Sequence, residues 1–235
     1  MTNTPDYHKA TNMAYAVLAS LHISSLPIST LSIIGYCPHL RVIPYTEACA
    51  RFGLKWDEYM ALNVSERGYI CRKGENAIIF YNDTIGFEII RFTLAHELGH
   101  YLLDHTAETS VSDREANCFA RNLLCPVPIT DHFDLQDIDD CCSLYAVSPP
   151  AAEVVLDKRE LDRYHITDHH YQTMIQLFDL ENITKAEQLN PYSAQTISAV
   201  WDFSTQIYGT PSTSKCCQPH RPHSGYALEW DSVIV

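Results

Sequence analysis

The chain of 235 residues predicts an α+β fold, a small, twisted and mostly antiparallel sheet surrounded by helices. Three observations lead there. Tyr69-Ile70-Cys71-Arg72-Lys73 and Ala77-Ile78-Ile79-Phe80-Tyr81 are β-rich runs flanking Gly74-Glu75-Asn76, the signature of a hairpin. Most of the remaining apolar residues recur at helical spacing, above all over 86–104 and 113–124. A hydrophobic fraction of 46% with 11% aromatics is that of a globular core and not of a disordered chain.

Taken in order, residues 7–21 place Tyr7, Ala10, Ala14, Val17, Leu18 and Leu21 on one helical face. Pro27 and Pro38 bracket a shorter helix over Ser29–Ile34. Leu40–Tyr45 reads as a strand, its Pro44 favouring an edge or terminal position. Thr46 is placed to cap a short helix that ends near Gly53, and Trp56–Leu62 is another. The hairpin follows, then the turn Asn82-Asp83-Thr84 and the long helix 86–104. A polar loop over 106–112 leads to the helix 113–124, stopped by Cys125-Pro126 because a residue before proline avoids helical angles. Helices over Asp134–Tyr145 and from Ser148-Pro149 to Leu161 complete an expected first domain, 1–165. The extension 166–235 carries helical signals at Tyr171–Leu180 and Ala194–Phe203, then a Pro/Ser/Cys/His-rich tail.

Charge and cysteine usage exclude several classes. The net charge of −13, from 16 basic and 29 acidic side chains, repels phosphate backbones and disfavours direct nucleic-acid binding. No apolar run approaches the roughly 20 residues that span a bilayer, so no membrane association is expected. Met1-Thr2-Asn3-Thr4-Pro5-Asp6 lacks the basic and apolar segments of a signal peptide, and a cytoplasmic location is expected. Nine cysteines, an odd number, then read as reduced thiols; Cys37, Cys49, Cys71, Cys118 and Cys125 are expected to be small core residues.

The chemistry concentrates in His96-Glu97-Leu98-Gly99-His100. Residues four apart are separated by about 40° around a helix, so His96 and His100 project from one face and can share one tetrahedral zinc ion. Glu97 lies close to that face but is turned too far round to ligate, which suits proton transfer instead. A third ligand is needed. His105, nine residues after His96, would lie about 180° round a continued helix and is expected to be a surface or helix-terminal histidine. The better source is Asp113-Arg114-Glu115-Ala116-Asn117 on the next helix. Asp113 and Asn117 share a face, so Asn117 can support the ligand set, whereas Glu115 shares its face with Phe119. One carboxylate, Asp113 or Glu115, is expected to face the metal.

Three stretches together resemble the ImmA/IrrE family of zinc metallopeptidases. They are Tyr81-Asn82-Asp83-Thr84, Arg91–Tyr101 and Glu115–Pro126, with weaker similarity at Ile43-Pro44-Tyr45 and Tyr145–Ala152. The resemblance covers roughly residues 10–162. It implies a zincin-like, gluzincin-type fold in which the active-site helix packs on a second ligand-bearing helix. It implies one zinc ion on His96 and His100 and a catalytic Glu97. The family's usual third ligand is a glutamate three residues before the Ala-Asn pair, where this chain has Asp113; either the helix shifts or Glu115 substitutes. It further implies a protein substrate, a helix-turn-helix repressor of a mobile element, prophage or stress regulon. The acidic surface suits a basic partner of that kind.

The rival expectation is a non-proteolytic zinc-containing module that binds a repressor without cutting it. Two weaker patterns carry no site. Cys216-Cys217-x-x-His220-x-x-His223 matches no common zinc module, and Ser143–Leu161 reads as a packed helix pair and not as a DNA-reading one.

Overall fold

The computed structural model describes residues 4–62 and 64–182. The Ala194–Phe203 helix and the Cys216–His223 pattern lie outside the described residues.

The first helix, α1 (Tyr7–Ser20), opens on Asp6, whose carboxylate accepts from the Lys9 backbone N–H at 2.9 Å. It buries Ala10, Ala14 and Leu18 as the spacing requires. A short α2 (Thr30–Gly35), capped by Ser29, leads into β1 (Leu40–Pro44). Next come α3 (Tyr45–Phe52) and α4 (Trp56–Met60), then the hairpin β2 (Gly68–Lys73) and β3 (Asn76–Tyr81). Only Gly74 and Glu75 separate the hairpin strands. Gly74 takes φ +60°, a left-handed angle that glycine adopts without strain.

The sheet order is β1-β3-β2. The hairpin supplies the expected antiparallel pair. β1 adds a parallel one, with Leu40 opposite Ala77 and Pro44 opposite Tyr81, so the sheet is mixed. The reason is the α3–α4 crossover, which returns the chain to the far edge and leaves β3 in the centre. Pro44 sits on the edge strand, where a missing N–H costs no ladder bond. Alternation along β3 then feeds two cores. Ala77 and Ile79 face the helical layer, while Ile78 and Phe80 face Tyr45, Cys49 and Tyr59 from α3 and α4.

Thr46 does not cap α3. It lies inside the helix, and both its backbone N–H and its hydroxyl donate to Asp83, which caps α3 from the loop after β3. Gly53, at φ +65°, ends the helix as expected.

The longest helices follow: α5 (Phe87–Leu102), α6 (Ser110–Leu124), α7 (Val127–His132), α8 (Ile138–Tyr145), α9 (Pro149–Tyr164) and α10 (Asp168–Leu177). α6 starts three residues earlier than expected because Thr109 and Ser112 cap each other, the Thr109 N–H donating to Ser112 Oγ at 2.8 Å. α5 packs most extensively on α6, and α6 on α1; α8 and α9 form the expected packed pair. Met174, Phe178 and Leu180 are buried in the same core, so the packed unit runs past residue 165. All seven described cysteines are free thiols, four of them buried, with Cys37, Cys71 and Cys142 only partly so. No helix among the described residues is long and apolar enough to cross a membrane.

Candidate metal centre

His96 and His100 stand one turn apart on the buried stretch of α5, and Asp113 reaches them from the first turns of α6. Their ligand-type atoms all lie within 4.8 Å of one another. The two Nε2 atoms are 3.0 Å apart, and Asp113 Oδ1 is 3.6 Å from His100 Nε2. His100 is buried and Asp113 exposed, so the cluster opens to solvent on the Asp113 side.

The helices meet at Gly99. A Cβ there would stand 2.9 Å from Phe119 and 3.2 Å from the Ala116 Cα, so only glycine lets α6 approach this closely. That contact sets the height of Asp113 and Asn117 above the two histidines.

The second ring nitrogens fix the tautomers. His96 Nδ1 is 3.0 Å from Asn117 Oδ1, an acceptor, so Nδ1 carries the proton and Nε2 keeps its lone pair. On the other ring, His100 Nδ1 lies 3.0 Å from His105 Nδ1, and His105 Nε2 lies 2.8 Å from Glu115 Oε2. The carboxylate accepts, so His105 carries its proton on Nε2 and accepts at Nδ1. His100 therefore donates from Nδ1, and its Nε2 lone pair also faces the cluster. Glu115 is held in turn by the Asp6 backbone N–H, which donates to Oε1 at 2.7 Å. Burial pulls the pKa of both rings down, His100 to about 3 with help from His96, His105 and Arg72. Neutral imidazole is the ligating form. Two lone pairs and one carboxylate oxygen converging on one point fit a single zinc ion with a position left over.

Of the two places expected for His105, surface or helix terminus, it takes the second, just past the end of α5. Its side chain is only 10% exposed. The expectation extended the helix past its end. Leu103 caps α5, Asp104 turns left-handed at φ +59°, and the His105 N–H bonds back to the His100 carbonyl at 3.0 Å. This reversal brings the ring beneath His100. Glu115, the alternative third carboxylate, turns to His105 and away from the His96–His100 pair. Asn117, on the same helix as Asp113, lies against His96.

Glu97 is buried, 6% exposed. Desolvation raises its carboxyl from the ordinary value to about 7, with Glu108 and Asp113 adding repulsion and a hydrogen bond from the Ile70 backbone opposing. Arg72 of β2 was not singled out from the sequence. It donates to the carbonyls of His100 at 2.7 Å and Tyr101 at 3.2 Å, completing the last turn of α5 beneath the cluster.

Residues 59–173 match the family model described as Peptidase_M78, IrrE N-terminal-like domain. Comparison with curated proteins and with solved structures found no match.

Proposed function

We propose, from the premise that residues 59–173 are a metallopeptidase segment of the ImmA/IrrE type, that the protein is a zinc-dependent endopeptidase. Its substrate is a helix-turn-helix repressor of a mobile element, prophage or stress regulon, cut at an exposed bond. The observation that carries the reading is the convergence of three donor atoms beside a buried glutamate of near-neutral pKa.

His96 Nε2, His100 Nε2 and Asp113 would hold one zinc ion. When bound, zinc supplies Lewis acidity toward water and a peptide carbonyl. Asn117 and the His105–Glu115 pair keep the two imidazoles in the tautomer that leaves Nε2 free. The Glu97 carboxylate takes a proton from the attacking water onto one oxygen and returns it to the nitrogen of the departing amine. Desolvation pushes the Glu97 carboxyl upward, the direction a group that both takes and returns a proton requires. A repressor is supported by the resemblance at Arg91–Tyr101 and Glu115–Pro126 and by the charge of −13, which draws a basic partner.

Glu97→Gln separates this reading from a non-proteolytic zinc-containing binding module. Zinc content, measured by atomic emission, and repressor binding are expected to persist while cleavage falls about 10³-fold, the scale of a lost general base. Cleavage, or derepression in cells, that continues undiminished in the variant sinks the enzyme reading.

A further inference from the structure

Beside the metal centre lies a cleft of about 690 Å³ between α5, α6 and α9. It adjoins the centre through α6 and α5. Asn117, which holds His96, lines the cleft, and so does Phe92, one turn before His96 on α5. Its walls are apolar, with Val154 and Leu161 of α9 left 46% and 43% exposed.

Its charge opposes that of the molecule. The chain has 29 acidic and 16 basic side chains, yet Arg67, Arg114, Arg121 and Lys158 line the cleft and no described carboxylate side chain does. Arg121 is engaged by the buried Asp162, its Nη2 donating at 2.6 Å, and Lys158 sits 2.7 Å from Asp157. The exposed guanidinium groups of Arg67 and Arg114 have no acidic partner among the described residues. An apolar trough with two cations that no described carboxylate engages selects apolar side chains next to an anion.

We propose that this cleft seats a substrate segment carrying two or more apolar side chains flanked by an aspartate or glutamate, which pairs with Arg67 and Arg114. The proposal rests on the endopeptidase reading, since Asn117 joins the wall of the cleft to His96 of the His96–His100–Asp113 cluster. A repressor that is basic overall can still present such a segment, because the contact is local.

The test uses the full-length Glu97→Gln protein and fluorescent 12-residue peptides with a Leu/Val centre and Glu, Gln or Lys flanks. Fluorescence anisotropy is expected to show the Glu-flanked peptide binding at least about 10-fold tighter than the Gln-flanked one. The double variant Arg67→Glu/Arg114→Glu is expected to reverse the order in favour of Lys. Should that variant fail to fold by circular dichroism, Arg114→Gln decides, with an expected loss of about three-fold in the preference. Equal affinity for all three flanks, or a preference that survives the arginine changes, overturns the proposal. So does a single-stranded oligonucleotide that displaces the Glu-flanked peptide and loses affinity in the same variants. The two readings fail separately. If the zinc-loaded wild type cuts a mixed peptide pool only when Glu97 is present but shows no acidic preference, the cleft proposal falls alone. If the preference holds and nothing is cut, the endopeptidase reading falls alone.

Discussion

His100 presents a lone pair at Nε2 only while Nδ1 keeps its proton, and among the described residues that proton goes to His105 Nδ1. The chain Asp6 N–H, Glu115, His105, His100 thus sets the tautomer of His100 from the start of α1. Losing such outer partners commonly weakens metal affinity 10- to 100-fold. His105→Ala is therefore expected to raise the zinc Kd by about that factor, and Glu115→Gln by less, since the amide oxygen still accepts. Asp113→Ala, which removes a donor outright, should empty the site where Glu115→Ala only weakens it. Competition with a chelating dye measures all four. Long-range ¹H–¹⁵N spectra of the metal-free protein supply a second check, with His100 protonated at Nδ1 in the wild type and mixed in His105→Ala. Glu115→Ala binding no zinc while Asp113→Ala binds normally would reverse the assignment.

Gly99 shows how one position in an element governs the site. In isolation, Gly→Ala inside a helix gains about 1 kcal/mol from helix propensity. Here the added Cβ meets the Ala116 backbone at 3.2 Å, and backbone cannot turn aside as a flexible side chain would. Gly99→Ala is expected to cost about 1–3 kcal/mol net, as overpacking does, and to push α6 outward. Asp113 and Asn117 ride on α6, so zinc affinity should fall along with the melting temperature. A variant as stable as wild type with unchanged zinc affinity would show that the two helices do not meet at this point. The caps place the same elements. Thr109 starts α6 early enough for Asp113 to fall one turn in, and Asp83 fastens α3 to the loop that launches α5.

Across the whole molecule, buried charges join elements distant in sequence. Arg91 of α5 donates to the carbonyls of Ile28 at 2.6 Å and Tyr145 at 2.6 Å, tying the loop before α2 and the end of α8 to the helix that carries His96 and His100. Asp131 of α7 accepts from Arg163 Nε at 3.0 Å, from Tyr171 at 2.6 Å and from Arg159, which gathers α9 and α10. Burial pushes the Asp131 carboxyl upward, but Arg163, Tyr171 and Arg159 outweigh it and hold the pKa below the ordinary 3.8. A lowered folded-state pKa gives stability that is present above the unfolded value and lost as pH falls through the folded one. Asp131→Asn is expected to cost about 2–4 kcal/mol at neutral pH, as breaking a largely buried ion pair does. In urea melts, the gap to wild type should narrow between about pH 5 and pH 2. A gap that widens on acidification would refute this account.

Patterns read within one segment were legible in the sequence alone. The helix spacing of α1, the hairpin around Gly74 and the shared face of His96 and His100 all follow from the periodicity of a single element. Asp113 with Asn117 on one face was legible for the same reason, though not the choice between Asp113 and Glu115. What crosses elements was decided only by the tertiary structure. The parallel pairing of β1, the cap that Asp83 gives α3 and the folding back of His105 depend on where separate segments meet. So does the basic rim of the cleft, hidden in the sequence because Arg67 and Arg114 lie 47 positions apart in an acidic chain. The physical reason is the same in each case. Periodicity fixes the direction of a side chain relative to its own helix or strand, whereas its partner is fixed by helix ends, close glycine contacts and crossovers that the local pattern does not encode.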